Sequence, residues 1–281
     1  MTNARVLVID GNVAEIRARQ IAAVGYDSGT GYQRVLKEID PSLHVDIVLG
    51  ADAHPGFPTG VGLEDYHGVT MTGSALNIYN GGAAVTRQIE LVKSVFVAGI
   101  PFFGSCWGLQ VAVTAAGGEV RANPRGREFG VARDIVLTEA GRTHPLFEGK
   151  PFEFDALTVH RDHIAALPAG AAILAVNEFG LQAAVFTCGR AAIWGVQYHP
   201  EYDYLDIAAA AQRYGDTLVT EGLFCDAPAL AEFASDLRTL QARPWDAALR
   251  DKHHISNAVN DPFLRHCEIR NWVKWQVHAL T

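Results

Sequence analysis

At 281 residues, 49% hydrophobic and 19% charged, the chain is long enough to bury a large core, and its composition excludes a disordered or repeat architecture. Its formal net charge of −8 opposes bulk attraction to nucleic acid or to an anionic membrane, leaving small molecules and other proteins as the expected partners. The four cysteines, Cys106, Cys188, Cys225 and Cys267, are widely spaced without a CxxC, which fits a reducing cytoplasm and points to neither a disulfide framework nor a zinc site.

The N-terminus enters the β-branched run "RVLVID" (Arg5 to Asp10) with no basic segment and apolar stretch before it, so no signal peptide is read and a cytoplasmic location is expected. "GTGYQR" (Gly29 to Arg34) contains GxG but lacks the third glycine of a dinucleotide fingerprint, and reads as a turn opening a helix. "VDIVLG" (Val45 to Gly50) and "HGVTMTG" (His67 to Gly73) are short, β-rich and bounded by turn residues, as buried strands are. Val85, Ile89, Val92 and Phe96 recur at helical spacing, with Gly99 placed to stop the helix and Pro101 just beyond. Alternation of strand and helix predicts a mostly parallel sheet covered on both faces.

From Ser94 to Gly118 no residue is charged. That run is long enough to span a bilayer, but Gly99, Pro101, Gly104, Ser105, Gly108, Gln110, Gly117 and Gly118 divide it into a strand, a turn and a helix of a soluble core. No membrane span is expected.

The second half is richer in strands: "VARDIVLT", "PFEFDALTVH", "AAILAVN", "LQAAVFTC" and "AAIWGVQYH" follow one another with turn signals between them. A helix over about 205–221 places Ile207, Ala211, Tyr214 and Leu218 on one stripe. From Arg243 to Phe263 the chain reads as irregular, with His253-His254 in a solvated loop rather than a metal site. Asp261-Pro262 then offers an N-cap and first helical residue for a last helix carrying Ile269, Trp272, Val273, Val277 and Leu280, with Trp272 and Trp275 as packing residues. The expected organisation is an α/β domain over 1–242 and a helical extension over 243–281.

In "FFGSCWGLQ" (Phe102 to Gln110) a strand passes into a helix through Cys106. This is the nucleophile-elbow pattern with cysteine in place of serine. Gly104 and Gly108 are required because a side chain at either place would strike the neighbouring strand or helix. The helix N-terminus favours thiolate, so Cys106 is expected to be exposed and more acidic than the other three cysteines, and the Trp107 backbone N–H is aimed where an oxyanion forms. A thiol in acyl transfer needs a histidine, and the histidine an orienting acid. "WGVQYHPEY" supplies both, since His199 and Glu201 leave the same face of an extended segment, about 7 Å apart at Cα. Alone, His-Pro-Glu reads as a capped strand end. With the elbow upstream it reads as base and acid.

Gly104-x-Cys106-x-Gly108-x-Gln110, followed downstream by His199-Pro200-Glu201, resembles the class I glutamine amidotransferase domain, in particular the free-standing proteins labelled GMP-synthase-like. "TGS" (Thr72 to Ser74), "GREFG" (Gly126 to Gly130) and "HPLFEG" (His144 to Gly149) add to the resemblance, which extends from about Arg5 to Glu221. It implies a flavodoxin-like α/β fold in which Cys106 is the nucleophile, His199 the general base and acid, and Glu201 the group orienting His199. It implies further that Gly73 and Trp107 form the oxyanion hole, Gln110 contacts the substrate, and the loop of His160, Arg161 and Asp162 holds the substrate's amino-acid end. Arg161 stands where many biosynthetic members have glycine. The implied reaction is hydrolysis of the γ-carboxamide of glutamine through a thioester on Cys106, releasing ammonia, with no metal and no organic cofactor. A synthase subunit or a second copy of the chain is the implied protein partner. Two alternatives share the pattern: a free-standing hydrolase or transferase acting on other γ-glutamyl compounds, and a silent regulatory or binding subunit that keeps the fold.

Overall fold

Period-two facing along a continuously buried strand sets the centre of the molecule. In β1 (Arg5–Asp10), Val6 and Val8 face one core cluster while Leu7 and Ile9 face another, so the strand is covered on both sides, as a strand of a parallel sheet must be. The computed structural model describes residues 4–280. In chain order β1 is followed by α1 (Ala14–Val24), α2 (Ser28–Ile39), β2 (His44–Leu49), β3 (Gly68–Met71), α3 (Ala83–Ala98), β4 (Phe102–Ser105) and α4 (Trp107–Ala115). Then come β5 (Glu119–Ala122), β6 (Glu128–Leu137), α5 (Glu139–Thr143), β7 (Glu153–His160), β8 (Asp162–Ala166), β9 (Ala172–Asn177), β10 (Gly180–Cys188) and β11 (Ala191–Val196).

Nine strands form one sheet in the order β2-β1-β3-β4-β11-β10-β9-β6-β7. From β2 to β11 neighbours are parallel, and β10, β9, β6 and β7 extend that half as an antiparallel run. With β11 as its fifth strand, the parallel half has the 2-1-3-4-5 order of flavodoxin-like sheets, as expected. Such sheets bind ligands outside the carboxyl ends of their strands, where the strand order reverses between β1 and β3. A small second sheet of β5 and β8 has no counterpart in the sequence reading, because four- and five-residue strands are too short to show a period.

The uncharged run from Ser94 to Gly118 is the end of α3, then β4 and α4, and Gly99 ends α3 in the left-handed conformation (φ 74°). Among the described residues no helix is long and apolar enough to cross a membrane. "GTGYQR" lies in the opening turns of α2, which Asp27 caps by accepting from the Thr30 N–H.

The last third departs further from expectation. After α6 (Tyr204–Thr220), a helix absent from the sequence reading, α7 (Ala227–Ala242), packs on α6 through Leu230, Ala234, Leu237 and Leu240. The stretch read as irregular contains α8 (Ala247–Lys252) and α9 (Asn257–Asn260). Asp246 caps α8 through the Leu249 N–H. His253 is not solvated: its Nε2 meets Asp236 Oδ2 at 2.8 Å, a partner that α7 brings from 17 residues away. Asp261 caps α10 (Pro262–Arg265) as expected, but the chain breaks at His266 and resumes as α11 (Cys267–Trp272) and a wider π turn over Val273–Val277. Trp272 is fully buried, 6.0 Å from Phe103 between ring centres. Trp275 is 44% exposed and donates to Glu148 at 2.8 Å.

Candidate active site

The elbow forms because the sequence denies the backbone any roomier path. Cys106 has φ 50° and ψ −103°, a conformation that L side chains rarely adopt, and the strain costs on the order of 1–3 kcal/mol. Its N–H is held by the Val196 carbonyl of β11 at 2.8 Å. A Cβ on Gly104 would come within 2.4 Å of the Gly108 and Leu109 backbone, and one on Gly108 within 2.4 Å of the Met71 carbonyl. Both glycines are therefore dictated by close approach of α4 to β4 and β3.

Cys106 is only 5% exposed, contrary to the expectation of an open, acidified thiol. Burial pushes the thiol up, the charge of Glu201 adds to this, and the Trp107 N–H and the Gln197 amide act in the opposite direction. Desolvation outweighs the helix terminus, so the resting sulfur keeps its proton, with Sγ 3.7 Å from the Val159 carbonyl. Cys225, not Cys106, is the exposed cysteine.

His199 and Glu201 follow β11, where His199 N–H donates to the Leu157 carbonyl of β7 at 2.8 Å. Nδ1 of His199 lies 2.8 Å from Glu201 Oε1, and both side chains are buried. That bond leaves Nε2 as the nitrogen free to exchange a proton. Tyr202 stacks on the imidazole, ring centres 3.8 Å apart and planes 10° from parallel. On another side, a Cβ at Gly73 would fall 2.4 Å from His199 Cε1. The ring is thus fixed by a carboxylate, an aromatic face and a glycine.

Cys106 and Gln110 line a polar cavity of about 150 Å³ together with Ser74, Tyr79, Arg127 and the loop His160, Arg161 and Asp162. A narrower recess holding His199, Tyr202 and Gly73 shares Ser74, Ala75, Val159 and Tyr214 with it. Of the loop residues, His160 spends both ring nitrogens inside the protein, Nε2 on Glu128 at 2.7 Å and Nδ1 on the Asp162 carbonyl at 2.9 Å. The Asp162 carboxylate accepts from Asn77 Nδ2 at 2.7 Å and from the Tyr79 hydroxyl at 2.8 Å. Arg161 donates to the Asn123 carbonyl and sits 4.0 Å from Glu221 at the mouth. These contacts hold the side chains of the loop within the protein. The Trp107 indole donates to Gln88 at 2.8 Å, so that residue meets the sulfur through its main chain.

Three residues at the site escaped the sequence reading. Gln197 is buried, accepts from Gln110 Nε2 at 3.2 Å, and has its own Nε2 without a partner beside the thiol. Its place two residues before His199 on an extended segment, hence on the same face, was the available signal. Tyr202 had no such signal. Asn12 ties the Gly73 loop to β1, donating to Ser28 Oγ at 3.1 Å and accepting from the Ala75 N–H at 3.2 Å.

The model of the class-I glutamine amidotransferase family matches residues 59–205, the segment that holds every residue of the elbow, the loop and the His-Pro-Glu motif. Over 276 residues the chain is also 32% identical to a γ-glutamyl-L-1-hydroxyisopropylamide hydrolase of a Pseudomonas species, covering 97% of this chain and 93% of that one. The chain belongs to the class-I glutamine amidotransferase family. A GMP synthase of Aquifex aeolicus is 33% identical over 135 residues, but those are 48% of this chain and only 24% of the synthase. A glutamine amidotransferase of Thermotoga maritima has the same fold, with a TM-score of 0.66 at 19% identity and coverage of 99% of both chains. In this chain the elbow and the His199–Glu201 pair follow the carboxyl ends of adjacent parallel strands, β4 and β11.

Proposed function

We propose that the chain hydrolyses the γ-amide bond of γ-glutamyl compounds through a thioester on Cys106. The observation that carries this reading is a cysteine on a strained elbow lining a polar cavity, with a buried His199–Glu201 pair at 2.8 Å following the adjacent strand β11. The thiol is protonated at rest, so the nucleophile forms as it attacks. His199 Nε2 takes the proton while Sγ bonds to the γ-carbonyl carbon, and the oxygen gains charge facing the N–H groups of Trp107 and Gly73. The C–N bond breaks as His199 returns that proton to the leaving amine. Water, deprotonated by the same nitrogen, then cleaves the thioester to give glutamate and restore the thiol. Glu201 keeps Nδ1 protonated and stabilises the imidazolium without attacking. The cavity is small and polar, which suits a glutamyl group, whose amino-acid end meets the backbone of the 160–162 loop, with Gln110 alongside.

Glutamine is the substrate that the family supports, with ammonia as the leaving group and a synthase subunit as its recipient. A second reading, an N-substituted γ-glutamyl amide as substrate, is favoured by the near full-length match to a relative of that description, against a match to only a quarter of a synthase. Purified protein is assayed for ammonia from L-glutamine and for amine from γ-glutamyl isopropylamide, with Cys106→Ala alongside. Activity on at least one, absent in Cys106→Ala, is expected, and a glutamine-like diazoketone should modify Cys106 while sparing exposed Cys225. Hydrolysis by Cys106→Ala at the wild-type rate would refute the thioester.

A further inference from the structure

The segment bearing His199 and Glu201 leaves the sheet after β11, and contacts from beyond residue 205, outside the family-model match, hold it at both ends. One residue before His199, the Tyr198 hydroxyl donates to Glu268 Oε1 of α11 at 2.6 Å. Three residues after Glu201, the Tyr204 hydroxyl donates to Asn260 Oδ1 of α9 at 2.9 Å. Between them Gln241 at the end of α7 donates to Asp203 Oδ2 at 2.9 Å and accepts from the Tyr204 N–H at 3.3 Å. Glu268 is itself fixed by Lys150, 2.9 Å away, and both side chains are buried to 1% exposure or less. A buried ion pair is a poor source of stability, because desolvating two charges offsets their attraction. Its orientation is nevertheless rigid, which suits a strut.

We propose that the C-terminal helices are a brace for the His199–Glu201 pair, with Glu268 and Asn260 as positioning residues acting through Tyr198 and Tyr204. The brace works from behind: Tyr198 belongs to the core cluster shared with Trp272 and Ile269, Tyr204 to that of α6 and α7, so neither tyrosine enters the cavity. Holding both flanks restricts the one stretch of backbone on which the 2.8 Å carboxylate–imidazole contact depends. This assignment rests on the hydrolase reading for its kinetic consequence but not for its geometry.

The test removes the bonds and keeps the rings. In Tyr198→Phe/Tyr204→Phe, kcat is expected to fall about 10-fold with KM within about twofold, since a displacement well below 1 Å is enough to misplace a proton-transfer group. The proton on His199 Nδ1, held against Glu201 Oε1 at 2.8 Å, should move upfield in the NMR spectrum and exchange faster with solvent as that contact loosens. Asn260→Leu, at a half-buried position, should shift both readouts in the same direction to a smaller extent. Wild-type kcat per folded molecule together with an unchanged His199 Nδ1–H resonance would overturn the brace. Should the wild type hydrolyse neither amide, the hydrolase reading fails, and the His199 Nδ1–H resonance still decides the brace.

Discussion

Gly73→Ala places a methyl group where only a hydrogen now stands. The added Cβ would lie 2.4 Å from His199 Cε1, 3.3 Å from Nε2 and 3.4 Å from Nδ1. Ordinary contact at this carbon begins near 3.4 Å, so 3.4 − 2.4 requires about 1 Å of retreat by the ring. Retreat is obstructed by Tyr202, stacked at 3.8 Å, and by the 2.8 Å bond to Glu201. Gly73 itself has no left-handed φ to forbid alanine, so the backbone is not the point of failure. Overpacking of this kind costs about 1–3 kcal/mol of stability, whereas a misplacement of about 1 Å in a proton-transfer group costs about 100-fold in rate. The assay is kcat and KM on the preferred γ-glutamyl amide, with thermal melting on the same samples. A folded Gly73→Ala protein with kcat within a factor of two of wild type would refute the placement of His199 as the proton-transfer group.

Trp272→Ala should lose about 3–5 kcal/mol in urea unfolding, the range for emptying a fully buried aromatic site, while Trp245→Ala, 74% exposed, stays within about 0.5 kcal/mol. Trp272→Phe should be milder than alanine, because the indole N–H is buried without a partner. Burial, with the neighbouring charge of Asp203 second, holds Asp206 well above its usual 3.8. The folded state therefore keeps a proton that the unfolded chain gives up, and stability falls as pH rises from about 4 toward the raised value. Melting temperatures at pH 5 and pH 8 should differ less in Asp206→Asn than in wild type, and an equal difference in both would remove Asp206 as the cause.

Local rules determined much of this molecule. The ends of β1, the stop of α3 at Gly99 and the cap at Asp261 follow from side-chain period and turn chemistry within a few residues, and each stands where the sequence puts it. The elbow was legible for the same reason: Gly104 and Gly108 have no alternative once strand must turn into helix against β3. His199-Pro200-Glu201 was legible because alternation along an extended chain puts both side chains on one face.

What the sequence by itself left open depends on distant partners. The acidity of Cys106 was misread because a helix terminus is visible in the sequence, whereas burial beneath Val159 and the charge of Glu201 are not. α7 and the segmented tail were missed because they are shaped by what they pack on, α6 in one case and the Phe103 face of the sheet in the other. His253 seemed solvated until α7 supplied Asp236. The tyrosines flanking His199 and Glu201 showed no pattern of their own, since their partners Asn260 and Glu268 lie 56 and 70 residues away. Covalent neighbours fix backbone dihedrals and facing; desolvation, charge and hydrogen bonding across the fold belong to contacts that exist only after the chain has closed on itself.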